Sequence, residues 1–234
     1  MVNKITVLMT TIPVRRHQAM NVVSRLEGQV DSICLCLNNF SAQPKWISQH
    51  PKIDRCAIDP KGALLANAVW GWMKDVEGYV FVVDDDISYP QDYVAKMIDF
   101  LTRYENQVVA CVHGKRIIHP FKSLQSSVSL SHFQYKSSEM NIDIPGVGTV
   151  AFHTSLIKPT PADMSYPWFR DLQFSSVCAR NGVSIKCIAR PLRWLKPIST
   201  NDRTLCDSVN NSDALKSFGN KYVKQCILPY IVKG

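Results

Sequence analysis

The sequence predicts an α/β fold in which a mostly parallel central sheet is flanked by helices. Short apolar runs rich in Val, Ile and Leu alternate with segments of helical spacing through the first half of the chain. One of these runs, YVFVV at 79–83, is apolar at every position, as burial on both faces of a strand requires. This alternation of strands and helices is typical of layered α/β proteins.

The strand predictions rest on β-branched or apolar runs that end at turn-forming residues. The first run ends at Pro13, the second is halted by Asn38 and Asn39, and the third is closed by Pro60 and Gly62. The predicted strands are 5–12, 32–37, 53–59, 79–83, 108–114 and 184–189.

The helix predictions rest on apolar side chains that recur every three or four positions. Pro90 suits the first turn of the helix that follows the fourth strand. The predicted helices are 17–29, with Met20, Val23 and Leu26 on its apolar side; 63–76, with Leu65, Val69, Trp72 and Met73; one after Pro90, with Tyr93, Met97, Phe100 and Leu101; 169–180; and a patch over 213–228.

Length and composition favour one folded domain. At 234 residues the chain can bury a large core, and 46% of its residues are hydrophobic. Residues 119–150 are rich in Ser and aromatic residues and carry few helix signals. We therefore expect a single domain over 1–234 with two halves, about 1–114 and about 115–234.

The formal charge of +8 and the sequence pI of about 9.1 favour anionic partners. The basic residues are dispersed, and no segment resembles a recognition helix or an aromatic-rich nucleic-acid-binding sheet. We therefore expect no nucleic-acid partner, and an anionic membrane surface is a candidate for peripheral contact.

The cysteines and the N-terminal segment both favour the cytoplasm. Eight cysteines are present, mostly within apolar runs, with no Cys-x-x-Cys pair and no Cys/His cluster of zinc spacing, so we expect free thiols in a reducing compartment. The early apolar run is short for a secretory signal, and no run reaches the roughly 20 residues that span a bilayer. We expect a cytoplasmic protein, in peripheral contact with the inner face of the membrane.

Three adjacent aspartates, Asp84, Asp85 and Asp86, directly follow the apolar strand at 79–83. Ligands of open α/β sheets bind outside the carboxyl ends of the strands, where these residues lie. Strand alternation points Asp84 and Asp86 to one side, and two carboxylates there suit Mg²⁺ or Mn²⁺ with substrate phosphates completing the shell. The alternative is a solvated turn that caps the helix near Pro90.

The segment YVFVVDDDISYPQDYVAKMIDFL resembles the DxD segment of GT-A glycosyltransferases, of the family 2-like type that builds bacterial surface glycans, capsules or lipopolysaccharide. TTIPVRR resembles the family's nucleoside loop, and the similarity extends over roughly 5–197, through KGALLANAVWGW, VHG, DIPGVGTVAFHTSLI and FRDLQFSSVCARNGVSIKCIARPLRWL. The resemblance implies a single GT-A (Rossmann-like) domain with a nucleotide-sugar-binding first half and an acceptor-binding second half. It also implies metal-dependent sugar transfer, with inversion, from a nucleoside diphosphate sugar, a UDP-sugar by expectation, to a glycan or lipid-linked acceptor.

The resemblance also implies roles for individual residues, each of which has a plain structural alternative. Asp84 and Asp86 are the expected metal ligands with Mn²⁺ or Mg²⁺, joined by His153, and Asp85 is expected to contact the sugar or water. Asp171 is the expected base that takes the acceptor proton, although Arg170 stands where the family has a second acid. The expected donor-binding residues are Thr10, Thr11, Pro13, Arg15 (with Arg16 as an alternative phosphate ligand), Lys61, Asn67, Asp84, Asp85, His113, Gly146 and Gly148.

Two other functions stay open at this stage. Nucleotidyl transfer uses a related sheet, but its glycine-rich loop after the first strand is replaced here by TTIPVRR. A non-catalytic basic module that binds polyanions fits the charge without using the aspartates. A phosphatase with nucleophilic aspartates is disfavoured, because its acids would follow the first strand.

Overall fold

The computed structural model of the chain describes residues 3–198 and 211–231. An α/β architecture is present, with strands and helices at most of the predicted places. The strands are β1 (Ile5–Thr11), β2 (Ser32–Asn38), β3 (Ile53–Asp59), β4 (Tyr79–Val83), β5 (Ile87–Ser88), β6 (Val108–Cys111), β7 (Gly114–Arg116), β8 (Val128–Leu130), β9 (Met140–Ile142), β10 (Ile144–Pro145), β11 (Thr149–His153), β12 (Ser184–Cys187) and β13 (Lys196–Pro197).

The helices fall between these strands and at the end of the described chain. The α-helices are α1 (Arg16–Leu26), α2 (Lys45–Ser48), α3 (Tyr93–Arg103), α4 (Arg170–Arg180), α5 (Asp213–Cys226) and α6 (Leu228–Ile231). The 3₁₀ helices are Pro13–Arg15, Glu27–Gln29, Leu65–Asp75, Leu124–Ser126 and Pro161–Met164.

A mixed eight-stranded sheet, in the order β3-β2-β1-β4-β11-β6-β12-β9, forms the centre of the fold. Strands β1 to β4 are parallel along their shared edges, and β6 is parallel to β12. Strand β11 runs antiparallel to both β4 and β6, and β9 runs antiparallel to β12. Most strands therefore share one direction, as expected, and the reversed β11 lies in the middle of the sheet.

Strand β4 separates two hydrophobic clusters, one on each face of the sheet. Phe81 and Val83 pack into the cluster that contains α1 and α3, whereas Val80 and Val82 pack into the cluster that contains Trp70. All five β4 residues are buried, which confirms the prediction from YVFVV. Burial of each such large apolar side chain contributes about 1.5–3 kcal/mol, so β4 is held firmly from both sides.

The segment predicted as a helix over 63–76 is a 3₁₀ helix, Leu65–Asp75, and not an α-helix. A 3₁₀ helix has three residues per turn, so side chains three positions apart lie along one line. Its buried residues are Asn67, Val69, Trp70 and Met73, and three of them, Asn67, Trp70 and Met73, follow that spacing. Val69 and Met73 of the predicted stripe are buried, but the α-helical period also placed Trp72 there, whereas the structure buries Trp70.

Smaller differences concern helix faces and strand ends. In α1, Met20 is 38% exposed, and the buried face is formed by Ala19, Val22, Val23 and Leu26. The run predicted as one strand over 108–114 divides, because β6 ends at Cys111 and Gly114 begins β7 in a separate three-stranded sheet.

The C-terminal helix α5 packs against α4. Its first turn is capped by Ser212, whose side-chain oxygen accepts a hydrogen bond from the Leu215 amide. Val223 and Ile227 are fully buried with Phe169 and Leu172 in a third hydrophobic cluster. This contact supports α4, which carries two residues of the candidate site. Within 3–198 and 211–231, no helix is long and apolar enough to cross a membrane.

Candidate active site

Strand ends from four places meet at one edge of the central sheet. Thr11 ends β1, the three aspartates follow β4, and His113 lies two residues after β6. Because β11 is antiparallel to β4 and pairs Thr149 with Val83, the start of β11 lies at this same edge. The loop 146–148 that precedes β11 therefore faces the aspartates.

Asp85 ties the loop after β1 to the end of β4. The Thr11 hydroxyl donates to Asp85 Oδ2 at 2.7 Å, and Arg15 Nη1 lies 3.1 Å from Asp85 Oδ1. The side chain is buried, and this burial raises the pKa of Asp85 although Thr11 and Arg15 oppose the rise. Both carboxylate oxygens are thus engaged by the protein, so Asp85 joins the loop to β4, and its contact with a sugar or water stays a prediction.

Asp86 shares Arg15 with its neighbour. Arg15 Nη1 lies 3.0 Å from Asp86 Oδ2, so one guanidinium nitrogen bridges two carboxylates. Burial and the nearby Asp84 charge raise the pKa of Asp86 to about 6, because the single Arg15 only partly offsets them. The main chain is fixed as well, since the Ile198 amide donates to the Asp86 carbonyl at 2.7 Å.

Asp84 is paired with a different arginine. Arg170 Nη2, at the start of α4, donates to Asp84 Oδ1 at 2.7 Å. Burial alone would raise the pKa of Asp84, but the Arg170 guanidinium outweighs it and holds the pKa below its usual value. The Asp84 amide donates to the Tyr89 hydroxyl at 2.9 Å, and that hydroxyl donates to the Gly148 carbonyl at 2.5 Å.

Gly146 and Gly148 are glycines because two side chains occupy the space where a Cβ would stand. A Cβ on Gly148 would lie 1.8 Å from Asp84 Oδ2, and one on Gly146 would lie 1.9 Å from His113 Nε2. Any larger residue would displace the carboxylate or the imidazole. The GVG loop therefore allows the close approach of the protein's own Asp84 and His113, and contact of the two glycines with a donor stays a prediction.

His113 is held by Thr149 at the beginning of β11. Its Nδ1 lies 2.9 Å from Thr149 Oγ1, which also accepts from the Val112 amide and donates to the Gly146 carbonyl. Burial, with His132 next to it, lowers the pKa of His113 to about 4. The imidazole is therefore neutral at pH 7 and fixed in orientation.

Asp171 lies in the first turn of α4, on the other side of Arg170 from Asp84. The Val147 amide donates to its Oδ1 at 3.0 Å, and Arg170 Nε is 4.0 Å from the same oxygen. Its side chain is 48% exposed, and within the described chain Oδ2 has no hydrogen-bond partner. Desolvation by the surrounding protein raises the pKa of Asp171, and Arg170 limits the rise, which suits a group that must accept a proton.

The structure does not bring His153 to the aspartates, so its prediction as a metal ligand beside them is wrong. His153 pairs with Tyr79 at the start of β4, whereas Asp84 follows the end of that strand. Five residue steps along the strand separate Tyr79 from Asp84, a distance of about 16 Å. The His153 ring packs against Tyr79, and its Nδ1 lies 2.7 Å from the Ser155 hydroxyl.

The recorded contacts of Asn67 and Lys61 are with other parts of the chain. The Asn67 amide is buried and donates to the carbonyls of Met164 and Tyr166, so it supports the segment that leads into α4. Lys61 is exposed in the turn before the 3₁₀ helix, and its amide donates to Asp59. Neither contact involves the three aspartates.

The candidate residues of the loop after β1 differ in their contacts. Arg15 reaches the aspartates, whereas Arg16 is exposed, with its Nε 3.3 Å from the His17 ring. Pro13 begins the short 3₁₀ helix that positions Arg15. Thr10 points its hydroxyl to a buried position with no hydrogen-bond partner among the described residues.

Tyr89, Thr149 and Arg170 contribute to the site although the sequence did not mark them as site residues. Tyr89 and Thr149 act through hydrogen bonds to main-chain groups of distant segments. Arg170 carried a signal, because a basic residue stands directly before the predicted base. Its partner Asp84 is 86 positions away in sequence, so the ion pair between them could not be predicted from a local pattern.

The aspartates fit a divalent cation that shares its shell with a phosphate. Their oxygens are hard donors, as Mg²⁺ and Mn²⁺ prefer, and such ions use one or two protein carboxylates when phosphates complete the shell. Among the described residues, no three His, Cys, Asp or Glu side chains converge on one point. Asp84 and Asp86 are the residues that would hold such an ion, with Arg170 and Arg15 as their present partners.

Comparison with solved structures identifies the fold. A structure of residues 1–349 of S. aureus TarS, a glycosyltransferase, superposes with a TM-score of 0.51 and 13% sequence identity, covering 94% of this chain and 69% of that one. The similarity supports a GT-A-like fold for this chain. No family model matches the sequence, and no relative is found among curated proteins. The similarity to TarS is thus one of architecture.

Proposed function

We propose that the protein is a metal-dependent glycosyltransferase that moves a sugar from a nucleoside diphosphate donor, a UDP-sugar by preference, to a glycan or lipid-linked acceptor. The observation that carries this proposal is the cluster of three aspartates and two arginines at the carboxyl end of β4, within a glycosyltransferase fold. Acidic residues at this edge suit a cation, and the adjacent guanidinium groups suit phosphates.

The donor would lie across the loop after β1 and the end of β4. Thr11, Pro13 and Arg15 form the side of the site expected to hold the nucleoside, because Arg15 joins that loop to Asp85 and Asp86. A bound Mg²⁺ or Mn²⁺ supplies charge neutralisation for the departing diphosphate. Asp84 and Asp86 provide the carboxylates for it, and His113 with the GVG loop forms the wall beside Asp84.

Asp171 is the proposed base. The acceptor hydroxyl oxygen forms a bond to the anomeric carbon while the bond from that carbon to the phosphate oxygen breaks, and the diphosphate leaves with the electron pair. Asp171 Oδ2 takes the hydroxyl proton, while the Val147 amide holds Oδ1. Attack from the side opposite the leaving group inverts the anomeric configuration.

The cellular setting follows from the same chemistry and the charge. We propose that the reaction serves surface polysaccharide synthesis in the cytoplasm, with peripheral contact of the basic protein, of net charge +8, to an anionic inner membrane surface. Salt-sensitive binding to anionic lipid vesicles, absent with neutral vesicles, tests this contact.

A thermal-shift screen of nucleotide sugars with and without Mn²⁺ tests the proposed reaction. We expect one donor to raise the melting temperature only when Mn²⁺ is present, since a ligand bound to the native state stabilises it. Asp86→Ala should remove this response. Binding to anionic polymers with no response to any nucleotide sugar would instead support a polyanion-binding module.

A further inference from the structure

Arg170 is a nearly buried cation between the proposed metal ligand and the proposed base. Its side chain is 13% exposed, with Nη2 donating to Asp84 Oδ1 at 2.7 Å and Nε 4.0 Å from Asp171 Oδ1. The proposed reaction gives a role to both carboxylates but none to the arginine that links them. An arginine fixed at this point must either block the site or take part in it.

The charges around Arg170 indicate that it takes part in ligand binding. The described cluster contains the carboxylates of Asp84, Asp85, Asp86 and Asp171 but only the guanidinium groups of Arg15 and Arg170, so carboxylates are in excess. That excess favours entry of a further cation. A divalent cation and a guanidinium repel each other, however, and they cannot both be close to Asp84 Oδ1 without a large electrostatic cost.

The position of Arg170 also offers its guanidinium an alternative partner, the diphosphate of a bound donor. Arg170 is the first residue of α4, and the side chain begins beside the GVG loop that lines the site. Guanidinium groups bind phosphate through paired hydrogen bonds, and a diphosphate with its leaving oxygen offers several acceptors. The first turn of an α-helix also favours an anion.

We propose that Arg170 is an exchangeable counter-ion of the donor site, an inference that rests on the proposed function. In the donor-free protein it neutralises Asp84 and competes with the divalent cation for that carboxylate. With donor and cation present, its guanidinium releases Asp84 and binds the diphosphate, so that donor and metal bind cooperatively. Arg170 is thus a binding residue for the leaving group, and it keeps the acidic cluster ordered in the free protein.

Binding measurements with Mn²⁺ alone and with inorganic pyrophosphate test this role without any turnover. Mn²⁺ affinity is measured from the electron paramagnetic resonance signal of free Mn²⁺. Arg170→Ala and Arg170→Gln should both bind Mn²⁺ about tenfold more tightly than the wild type, because the competing charge is gone. Pyrophosphate, measured calorimetrically at saturating Mn²⁺, should bind these variants about tenfold more weakly.

The matched control is Arg180→Ala, at the opposite end of the same helix. Arg180 forms an ion pair with Asp163 at 2.9 Å, like that of Arg170 with Asp84 but away from the site. Its loss should leave both affinities unchanged. Arg170→Gln keeps a polar, uncharged side chain, so it remains informative if Arg170→Ala does not fold.

Unchanged or weaker Mn²⁺ binding in a folded Arg170 variant would overturn the proposal, as would a wild type and variants that all fail to bind Mn²⁺. If the affinities shift as expected but no nucleotide sugar is a donor, the proposed reaction falls and the role of Arg170 stands. If a donor responds but the affinities do not shift, only the role of Arg170 falls.

Discussion

Gly148 shows how a residue without a side chain shapes this site. The loop that carries it stands against Asp84 so closely that no Cβ fits, while Tyr89 ties the Gly148 carbonyl to the Asp84 amide. The loop and Arg170 therefore hold the carboxylate itself, and Tyr89 holds the main chain that carries it. Such contacts fix the direction of the oxygen that we propose to bind the metal before any ligand arrives, which lowers the free energy spent on ordering it.

Gly148→Ala should weaken Mn²⁺-dependent donor binding by about tenfold or more, because the new methyl group displaces Asp84 from its position. The fold should persist, since the clash is with the end of a side chain and not with the backbone. Gly71→Ala is the control: no atom lies within 4 Å of its Cβ position, and we expect unchanged binding with about 0.4–1 kcal/mol of added stability. Calorimetry and thermal melting measure the two effects. Equal donor affinity in wild type and Gly148→Ala would contradict the assignment of Asp84.

The burial of His113 makes the free energy of unfolding fall as the pH is lowered. Its pKa in the folded protein, about 4, is below the unfolded value, so the unfolded chain binds more protons between pH 6.5 and 4. The contribution of His113 is thus fully present above pH 6.5 and is lost as the pH falls toward 4, with a slope of at most about 1.4 kcal/mol per pH unit. Urea unfolding of wild type and His113→Asn at several pH values should show their difference in unfolding free energy shrinking as pH falls. A constant difference would mean that the imidazole is not buried as described.

At the scale of elements, the loop after β1 and the end of β4 form one unit. Arg15 and Thr11 join them through Asp85 and Asp86, so a change in the loop alters the charge of the aspartates. The adjacent arginines provide a matched pair, because Arg15 is partly buried on the aspartates and Arg16 is exposed.

Arg15→Ala should lower donor affinity by about tenfold or more and raise the pKa of Asp86 further above about 6, since the main opposing charge is removed. Arg16→Ala should change neither property. Donor titration calorimetry and nuclear magnetic resonance titration of the aspartate carboxyls measure the two effects. If Arg16→Ala proved as damaging as Arg15→Ala, the loop would not be arranged as described.

The contact between α4 and α5 stabilises α4, which carries Arg170 and Asp171 of the site. Ile227→Ala removes a fully buried side chain from the cluster under Phe169 and Leu172, and we expect a loss of about 2–5 kcal/mol in unfolding free energy. Tyr230→Ala, at a residue that is 50% exposed, should cost much less. Chemical denaturation of both variants measures the difference, and similar small losses would show that α5 does not pack against α4.

At the scale of the whole molecule, local patterns predicted the strands and the location of the aspartates. Strand β4 was readable because it is apolar throughout, and the ends of β3 and β4 match their predicted bounds. The sequence predicts an α-helix in place of the 3₁₀ helix because the period of three is close to the α-helical period. The same apolar residues suit both kinds of helix.

Contacts that depend on the direction of a strand could not be predicted from the sequence. The closeness of His153 in sequence to the GVG loop favours a position beside the aspartates. The reversed direction of β11, which depends on pairing with β4 and β6, carries it to the opposite edge of the sheet. The partners of Gly146, Gly148 and Arg170 likewise come from segments distant in sequence, and no local pattern encodes them.

The central claim is that the aspartates at the end of β4 serve metal-dependent sugar transfer from a nucleotide donor. Its most direct test is the rate of nucleoside diphosphate release from the responding donor, with Mn²⁺, for wild type, Asp86→Asn and Asp99→Asn. Asp99 is the control acid, with a side chain that is 74% exposed on α3. We predict that Asp86→Asn lowers the rate by about 10²–10³ and that Asp99→Asn leaves it unchanged. Turnover of Asp86→Asn at the wild-type rate would contradict the account.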